Sequence, residues 1–137
     1  MIIEVDTLWF ENDKIFVRTK EGKTLWQSLL WYHRLLYASD NQRNNYKTSI
    51  SGIHWPEIDE DMSYESFFYD NLEPQGISRL FLTHPELNVS AVARRMGIQQ
   101  SLLASYIRGT KEPSSCVEDE IKSVIREIGR ELAAIYD

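Results

Sequence analysis

A chain of 137 residues and 16.1 kDa is one ordinary domain or two small ones, and 42% hydrophobic content with four Trp, seven Tyr and five Phe supplies a real core, which excludes disorder over most of its length. The single cysteine, Cys116, excludes an internal disulfide and any multi-cysteine zinc site and suits a reducing, cytoplasmic setting, where it is expected to be a helix-start residue. Net charge is −6 but uneven: residues 1–76 carry seven Lys/Arg against thirteen Asp/Glu, whereas residues 77–137 carry eight of each, so the acidity that disfavours DNA lies in the first half alone.

The N-terminal MIIEVDTLWFEND lacks a basic leader and carries Glu4 and Asp6 in its apolar run, so no signal peptide is expected, and no apolar stretch reaches membrane-spanning length. Ile2–Phe10 is β-branched and aromatic, which predicts a strand. Glu11-Asn12-Asp13 is a turn signal, Lys14–Lys20 alternates as a second strand, and Glu21-Gly22-Lys23 turns into a third at Thr24–Trp26. That spacing predicts a three-stranded antiparallel meander. Gln27–Ala38 then sets Leu29, Leu30, His33, Leu36 and Tyr37 at helical intervals, with His33 expected to be packed. Residues 40–47 read as a short polar helix or turn. Tyr46–Ile50 returns to the sheet, Gly52 breaks it and Ile53–Trp55 continues it.

Residues 52–63, GIHWPEIDEDMS, concentrate one histidine with carboxylates. Such a set could ligate a divalent cation or exchange protons, but no second His stands at metal-ligand spacing, and clustered loop carboxylates usually point into water. The segment is therefore expected to be a structural or partner-binding loop, offering His54, Trp55, Glu57, Asp59, Glu60 and Asp61 to a protein, with no metal, no cofactor and no catalysis. Ser63–Asn71, with a serine cap and Glu65 two residues on, predicts a short helix. With the upstream strands this run resembles a small bacterial family known as domain of unknown function 2442, over roughly residues 1–72; His33 stands where that family usually has proline. The resemblance implies a compact α+β domain beside small toxin–antitoxin-like partners and names no chemistry.

Asn71–Gly76, NLEPQG, reads as the domain boundary. Every strong segment beyond it is helical: Ile77–Thr83, Val89–Met96, Gln99–Arg108, and a long one from about Ser115 to Tyr136. His84 before Pro85 reads as a helix stop. The last segment places Val117, Ile121, Val124, Ile125, Ile128, Leu132 and Ile135 on one stripe and opens with Glu118, Asp119 and Glu120 at its positive dipole end. The tryptophans Trp9, Trp26, Trp31 and Trp55 show no regular basic stripe and are expected in the core rather than on a nucleic-acid stacking platform.

The most informative stretch is 88–114, NVSAVARRMGIQQSLLASYIRGTKEPS. Asn88 suits an N-cap; Val92 and Met96 face inward while Arg94 and Arg95 face away; Ala93 permits close helix approach. Gly97 suits a left-handed turn, Ile98 plugs it, and Leu102, Leu103 and Tyr106 form the buried side of a second helix ending at Gly109. Its other side presents Gln99, Gln100, Ser101, Ala104 and Ser105. Gln can bond adenine bidentately and Ser can bond several base edges, so Gln99, Gln100, Ser101 and Ser105 are the candidate base contacts. Arg94, Arg95 and Lys111 flank them as candidate phosphate contacts. The plain alternative is a helix hairpin whose arginines are merely solvated. Across residues 91–114 the stretch resembles, without a gap, the lambda-repressor-like (Cro/Xre) helix-turn-helix family, matching at Ala93, Gly97, Ile98, Gln100, Ser101, Gly109 and Pro113-Ser114. Gln99 stands where that family favours a Ser or Thr cap. The resemblance implies that Gln100 and Ser101 enter a DNA major groove.

The expected architecture is an α+β N-terminal domain, residues 1–74, a small antiparallel sheet with two or three short helices, followed by an all-α, lambda-repressor-like helix-turn-helix domain, residues 75–137. The expected function is that of a small transcriptional regulator binding double-stranded DNA as a homodimer, with a protein partner at the acidic half and no membrane. The alternative is an antitoxin-like protein-interaction module whose helix pair does not bind DNA. An enzyme is not expected, because no nucleophile, base and orienting group occur together.

Overall fold

The structure, a computed structural model, describes residues 3–136. It comprises two compact units that part between Pro74 and Gln75. The whole is mixed α and β, with two small sheets in the first unit and helices throughout the second.

In the first unit, β1 (Val5–Glu11), β2 (Lys14–Thr19) and β3 (Thr24–Ser28) form the antiparallel meander in the order β1-β2-β3. The expected first strand began at Ile2, which lies outside the described residues. Alternation sets the faces: Ile15 and Val17 are fully buried and Thr19 nearly so, with Leu8, Phe10 and Leu25 packed against the same core. A register shift between Val5 and Thr7 lets both Val5 and Leu8 reach that core.

The continuous helix expected over Gln27–Ala38 is not formed. Gln27 and Ser28 complete β3, the Ser28 hydroxyl accepts from the Leu30 N–H at 3.1 Å, and a 3-10 turn follows at Leu29–Trp31. Tyr32, with φ −132° and ψ 78°, interrupts the helical backbone before α1 (His33–Leu36). His33 is exposed, against expectation, and lies edge-on to Tyr37 with ring centroids 6.1 Å apart. The core takes Leu29 and Leu35 from this segment, with Tyr32 and Leu36 packed against it, and two short turns deliver them. Next comes α2 (Asp40–Asn44), whose Ser39 and Gln42 form a reciprocal capping box.

A second antiparallel sheet is formed by β4 (Lys47–Thr48), β5 (Gly52–Trp55) and β6 (Glu60–Ser63); strand was expected at Tyr46–Ile50 and Ile53–Trp55, but Gly52 joins β5 instead of breaking it, and β6 replaces part of the expected loop. Ile53, Trp55 and Met62 point inward and are buried, while the acids between them mask that alternation in the sequence. Gly52 is required here, since a Cβ would collide with the Met62 carbonyl oxygen. The expected helix at Ser63–Asn71 tightens to a 3-10 turn, Tyr64–Phe68, capped by Ser63 onto the Ser66 N–H. Trp55, Tyr64, Leu29, Leu35, Ile53 and Met62, all near zero exposure, are the centre of this core; each contributes roughly 1.5–3 kcal/mol of burial.

The second unit consists of α3 (Gly76–Leu82), α4 (Val89–Met96), α5 (Gln100–Arg108) and α6 (Ser115–Ala134). Its core joins Ile77 and Phe81 of α3, Val92 and Ala93 of α4, Leu103, Tyr106 and Ile107 of α5, and Ile121 of α6. His84 does stop α3, its Nδ1 lying 2.8 Å from the Leu80 carbonyl oxygen. The apolar stripe of α6 outruns this core: Ile121 is fully buried, whereas Leu132 and Ile135 are 60% and 67% exposed. Among the described residues no helix is long and apolar enough to cross a membrane.

Candidate nucleic-acid interface

The pair α4 and α5 is defined at each end by side-chain chemistry that its sequence dictates. The Asn88 carboxamide oxygen accepts from the Ala91 N–H at 3.0 Å and starts α4. Gly97 stops it at φ 73°, a left-handed conformation that costs an L-residue about 1–2 kcal/mol. The Gly97 N–H bonds to the Arg94 carbonyl and the Ile98 N–H to the Ala93 carbonyl, which closes the turn and drives Ile98 against the core. Only Ile98 and Gln99 then separate the turn from α5.

The nearly fully buried Ala93 (1% exposed) and fully buried Leu103 pack this helix pair together with the other helices of the unit. The Ser78 hydroxyl of α3 donates to the Tyr106 carbonyl oxygen at 3.1 Å and pins the far side of α5. Ile107 is buried in the same core. What remains outward on α5 is its N-terminal face. Gln99, Gln100 and Ser101 are exposed, and Gln99 makes no capping bond to the helix, so its carboxamide is not committed there. Ser105 is half-buried, and its hydroxyl donates to the Leu102 carbonyl oxygen at 2.6 Å. It is drawn back onto its own helix rather than presented outward.

The three flanking cations do not share one environment. Arg94 is exposed at the end of α4, and Lys111 is exposed just past α5, where its backbone N–H bonds to the Ser105 carbonyl oxygen at 3.4 Å. Arg95 is committed elsewhere: its Nη2 donates to Glu127 at 2.9 Å and to Glu131 at 2.6 Å, both on α6. Hydrogen bonds donated to Glu131 and Glu127 hold its guanidinium above the ordinary arginine range, and Arg95 in turn holds the Glu131 carboxyl below the ordinary carboxylate range. In the plain alternative Arg95 would be merely solvated; instead α6 supplies its anions. Neither Glu127 nor Glu131 could be identified as that partner from spacing, because they lie more than thirty residues downstream.

The other predicted group falls on the hairpin of β5 and β6. His54 and Asp61 are register partners, with His54 Nδ1 2.7 Å from Asp61 Oδ1. Trp55, offered by the sequence to a partner, is fully buried, and its Nε1–H donates to the Arg43 carbonyl oxygen at 2.9 Å, so it packs instead. Glu57 is exposed in the turn. Asp59 adopts φ 51°, and its carbonyl oxygen accepts from Arg34 at 2.7 Å. Glu60 is half-buried, and its carboxyl is raised by burial, against the lowering effects of the Asp61 backbone N–H and Arg34. Among the described residues no three His, Cys, Asp or Glu converge as a metal site.

A buried polar cluster had no sequence signal at all. Gln27 donates to the Ser66 hydroxyl at 2.8 Å, and the Tyr32 hydroxyl donates to the Gln27 side-chain oxygen at 3.2 Å. It ties β3 to the 3-10 turn at 64–68, and burial raises the Tyr32 phenol. Its partners are 39 and five residues apart, a pairing that only the closed fold creates.

Residues 5–70 match the family described as a protein of unknown function (DUF2442), so the resemblance read in the N-terminal half holds for that unit. The match ends before the helical unit begins. No curated protein and no solved structure matches the chain.

Proposed function

We propose that the α4–α5 pair is a helix-turn-helix of the lambda-repressor-like kind and that the protein is a small DNA-binding regulator. In this reading α5 lies in the major groove, with Gln99, Gln100 and Ser101 meeting base edges and Arg94 and Lys111 meeting phosphates. One observation carries the reading: the exposed start of α5 presents three short polar side chains, while its opposite face is locked into the core. Ser105 stands as a weaker base contact because its hydroxyl is already used. Arg95 would have to leave two carboxylates before it met a phosphate.

With two free flanking cations per protomer, affinity must come from two copies on one duplex. The exposed Leu132 and Ile135, at the end of the stripe that includes Ile121 and Ile128, are the surface on which the second copy docks in this reading. A protein-interaction module without DNA is the second reading. The commitment of Arg95 to α6 favours it, since it lowers the cation count on the face.

Selection of bound sequences from random duplexes at low salt tests the first reading. Enrichment of one sequence is expected, with Gln100→Ala relaxing base preference. Failure to enrich any sequence would sink DNA recognition and leave the protein-interaction reading.

A further inference from the structure

The outward side of the first sheet is unlike the solvent face of an ordinary meander. Since Ile15, Val17 and Thr19 point into the core, Lys14, Phe16 and Arg18 point out. The register sets Trp9 opposite Phe16 and Phe16 opposite Trp26, so three aromatic side chains form one row across all three strands. The Trp9 and Phe16 rings stack with centroids 5.5 Å apart and planes 9° from parallel. Arg18 lies over the Trp9 ring, 5.5 Å from its centroid, and the Lys14 ammonium lies 4.8 Å from that of Trp26. Trp9 and Trp26, expected in the core, are therefore half-buried on the outer face, each with a cation on it. This basic and aromatic pattern is hidden in the sequence because its members sit on three different strands.

The charge of this face runs against that of its unit. Residues 1–76 carry thirteen acids and seven bases, yet Lys14 and Arg18 form no ion pair among the described residues. Thr7 and Thr24 flank Arg18 in register and add two hydroxyl groups. The acids of β1 are Glu11, in register with Lys14, and Asp6 at the register shift; the row of Thr7, Arg18 and Thr24 contains none.

We propose that this face binds single-stranded nucleic acid. Bases stack on Trp9 and Trp26 in place of the two cations, and Arg18 and Lys14 swing from the rings to phosphates, with Thr7 and Thr24 donating beside Arg18. Ring faces and cations are both used only by a ligand that is planar and anionic at once. An acidic peptide would use the cations and leave the aromatic row idle, and a duplex hides its base faces. Binding is insensitive to sequence, because every base has a π-face, and sensitive to salt. It is independent of α5.

The test titrates the full chain with a twelve-residue oligothymidylate at low salt, following tryptophan fluorescence and the anisotropy of a labelled strand. Quenching with saturable binding is expected. Trp9→Leu and Trp26→Leu each weaken it roughly tenfold, and Trp9→Phe, which keeps a stacking ring, restores most of the loss. Arg18→Ala flattens the salt slope by about 0.7. Gln100→Ala and Arg94→Ala leave oligothymidylate binding unchanged, which separates this inference from duplex recognition by α5. Absence of binding at low salt, equal binding of a polyglutamate peptide, or indifference to both tryptophan substitutions in a protein with unchanged circular dichroism would each overturn it.

Discussion

Arg95 and Glu131 face each other across the contact of α4 with α6, Nη2 to Oε1, at 2.6 Å. Glu127 shares the same nitrogen at 2.9 Å. Charge-assisted bonds of this length give the pair directional strength, while its exposure leaves it open to salt. The consequence for function is subtractive. A guanidinium held by two carboxylates of its own chain is not available to a phosphate on the same terms as its neighbour Arg94.

The two adjacent arginines should therefore behave differently in duplex binding. Arg94→Ala is expected to weaken all sequences alike and to reduce the salt slope by about 0.9. Arg95→Ala is expected to leave the slope nearly unchanged. The double change Glu127→Gln with Glu131→Gln should raise affinity by releasing Arg95. Salt titrations of duplex binding measure all three, and equal slopes for Arg94→Ala and Arg95→Ala would contradict the assignment.

The same pair has a pH signature. Arg95 depresses the Glu131 carboxyl below its ordinary value of 4.5, so the stability it contributes is full above that value and is lost as pH falls through the depressed one. Carbonyl NMR of Glu131 should show a titration midpoint below 4.5 that returns toward it in Arg95→Gln. An unmoved midpoint in that variant would mean that the contact is not maintained in solution.

Glu60 behaves with the opposite sign. Burial raises its carboxyl above the ordinary 4.5, so the folded state binds the proton more tightly and stability falls as pH rises through that window. Glu60→Gln is expected to raise Tm by about 1–3 °C at pH 7, and the gain should vanish near pH 3. Thermal denaturation at the two pH values reads this directly.

Within the helical unit, Leu103 is fully buried and Asn88 caps α4. Leu103→Ala should cost about 2–5 kcal/mol through lost burial and a cavity, and Asn88→Ala about 1 kcal/mol. Denaturant unfolding compares them; a smaller loss at Leu103 than at Asn88 would be incompatible with this core.

Leu132→Asp tests self-association. The side chain is 60% exposed and takes no part in the core, so the helical content should persist while a dimer is lost in sedimentation. A wild-type chain that sediments as a monomer at high concentration would remove the dimer from the proposed function.

Much of the fold was legible because it rests on local chemistry. The meander followed from alternation between turn signals at Asn12 and Gly22. The helices of the second unit followed from an Asn88 cap, glycine stops at Gly97 and Gly109, and apolar spacing, all satisfied within a few residues. Where local signals conflict, tertiary packing decides. Leu29 to Leu36 carry helical spacing, yet Tyr32 breaks the helix, because two separate turns place Leu29 and Leu35 in one core. The carboxylates of residues 57–61 disguised a hairpin whose inward side is Ile53, Trp55 and Met62.

The candidate sites divide along the same line. The sequence by itself determined where α5 starts and that Gln99, Gln100 and Ser101 lie together, since they are its N-cap and first two residues. Only the tertiary structure decided that Arg95 is bound by α6, that Ser105 turns back on Leu102, and that Trp9, Phe16 and Trp26 align beneath Arg18 and Lys14. Apart from the local turn of Ser105, these depend on register and packing between segments distant in the chain. A charge or ring acquires its partner there through the geometry of neighbouring strands and helices, which sequence spacing does not encode.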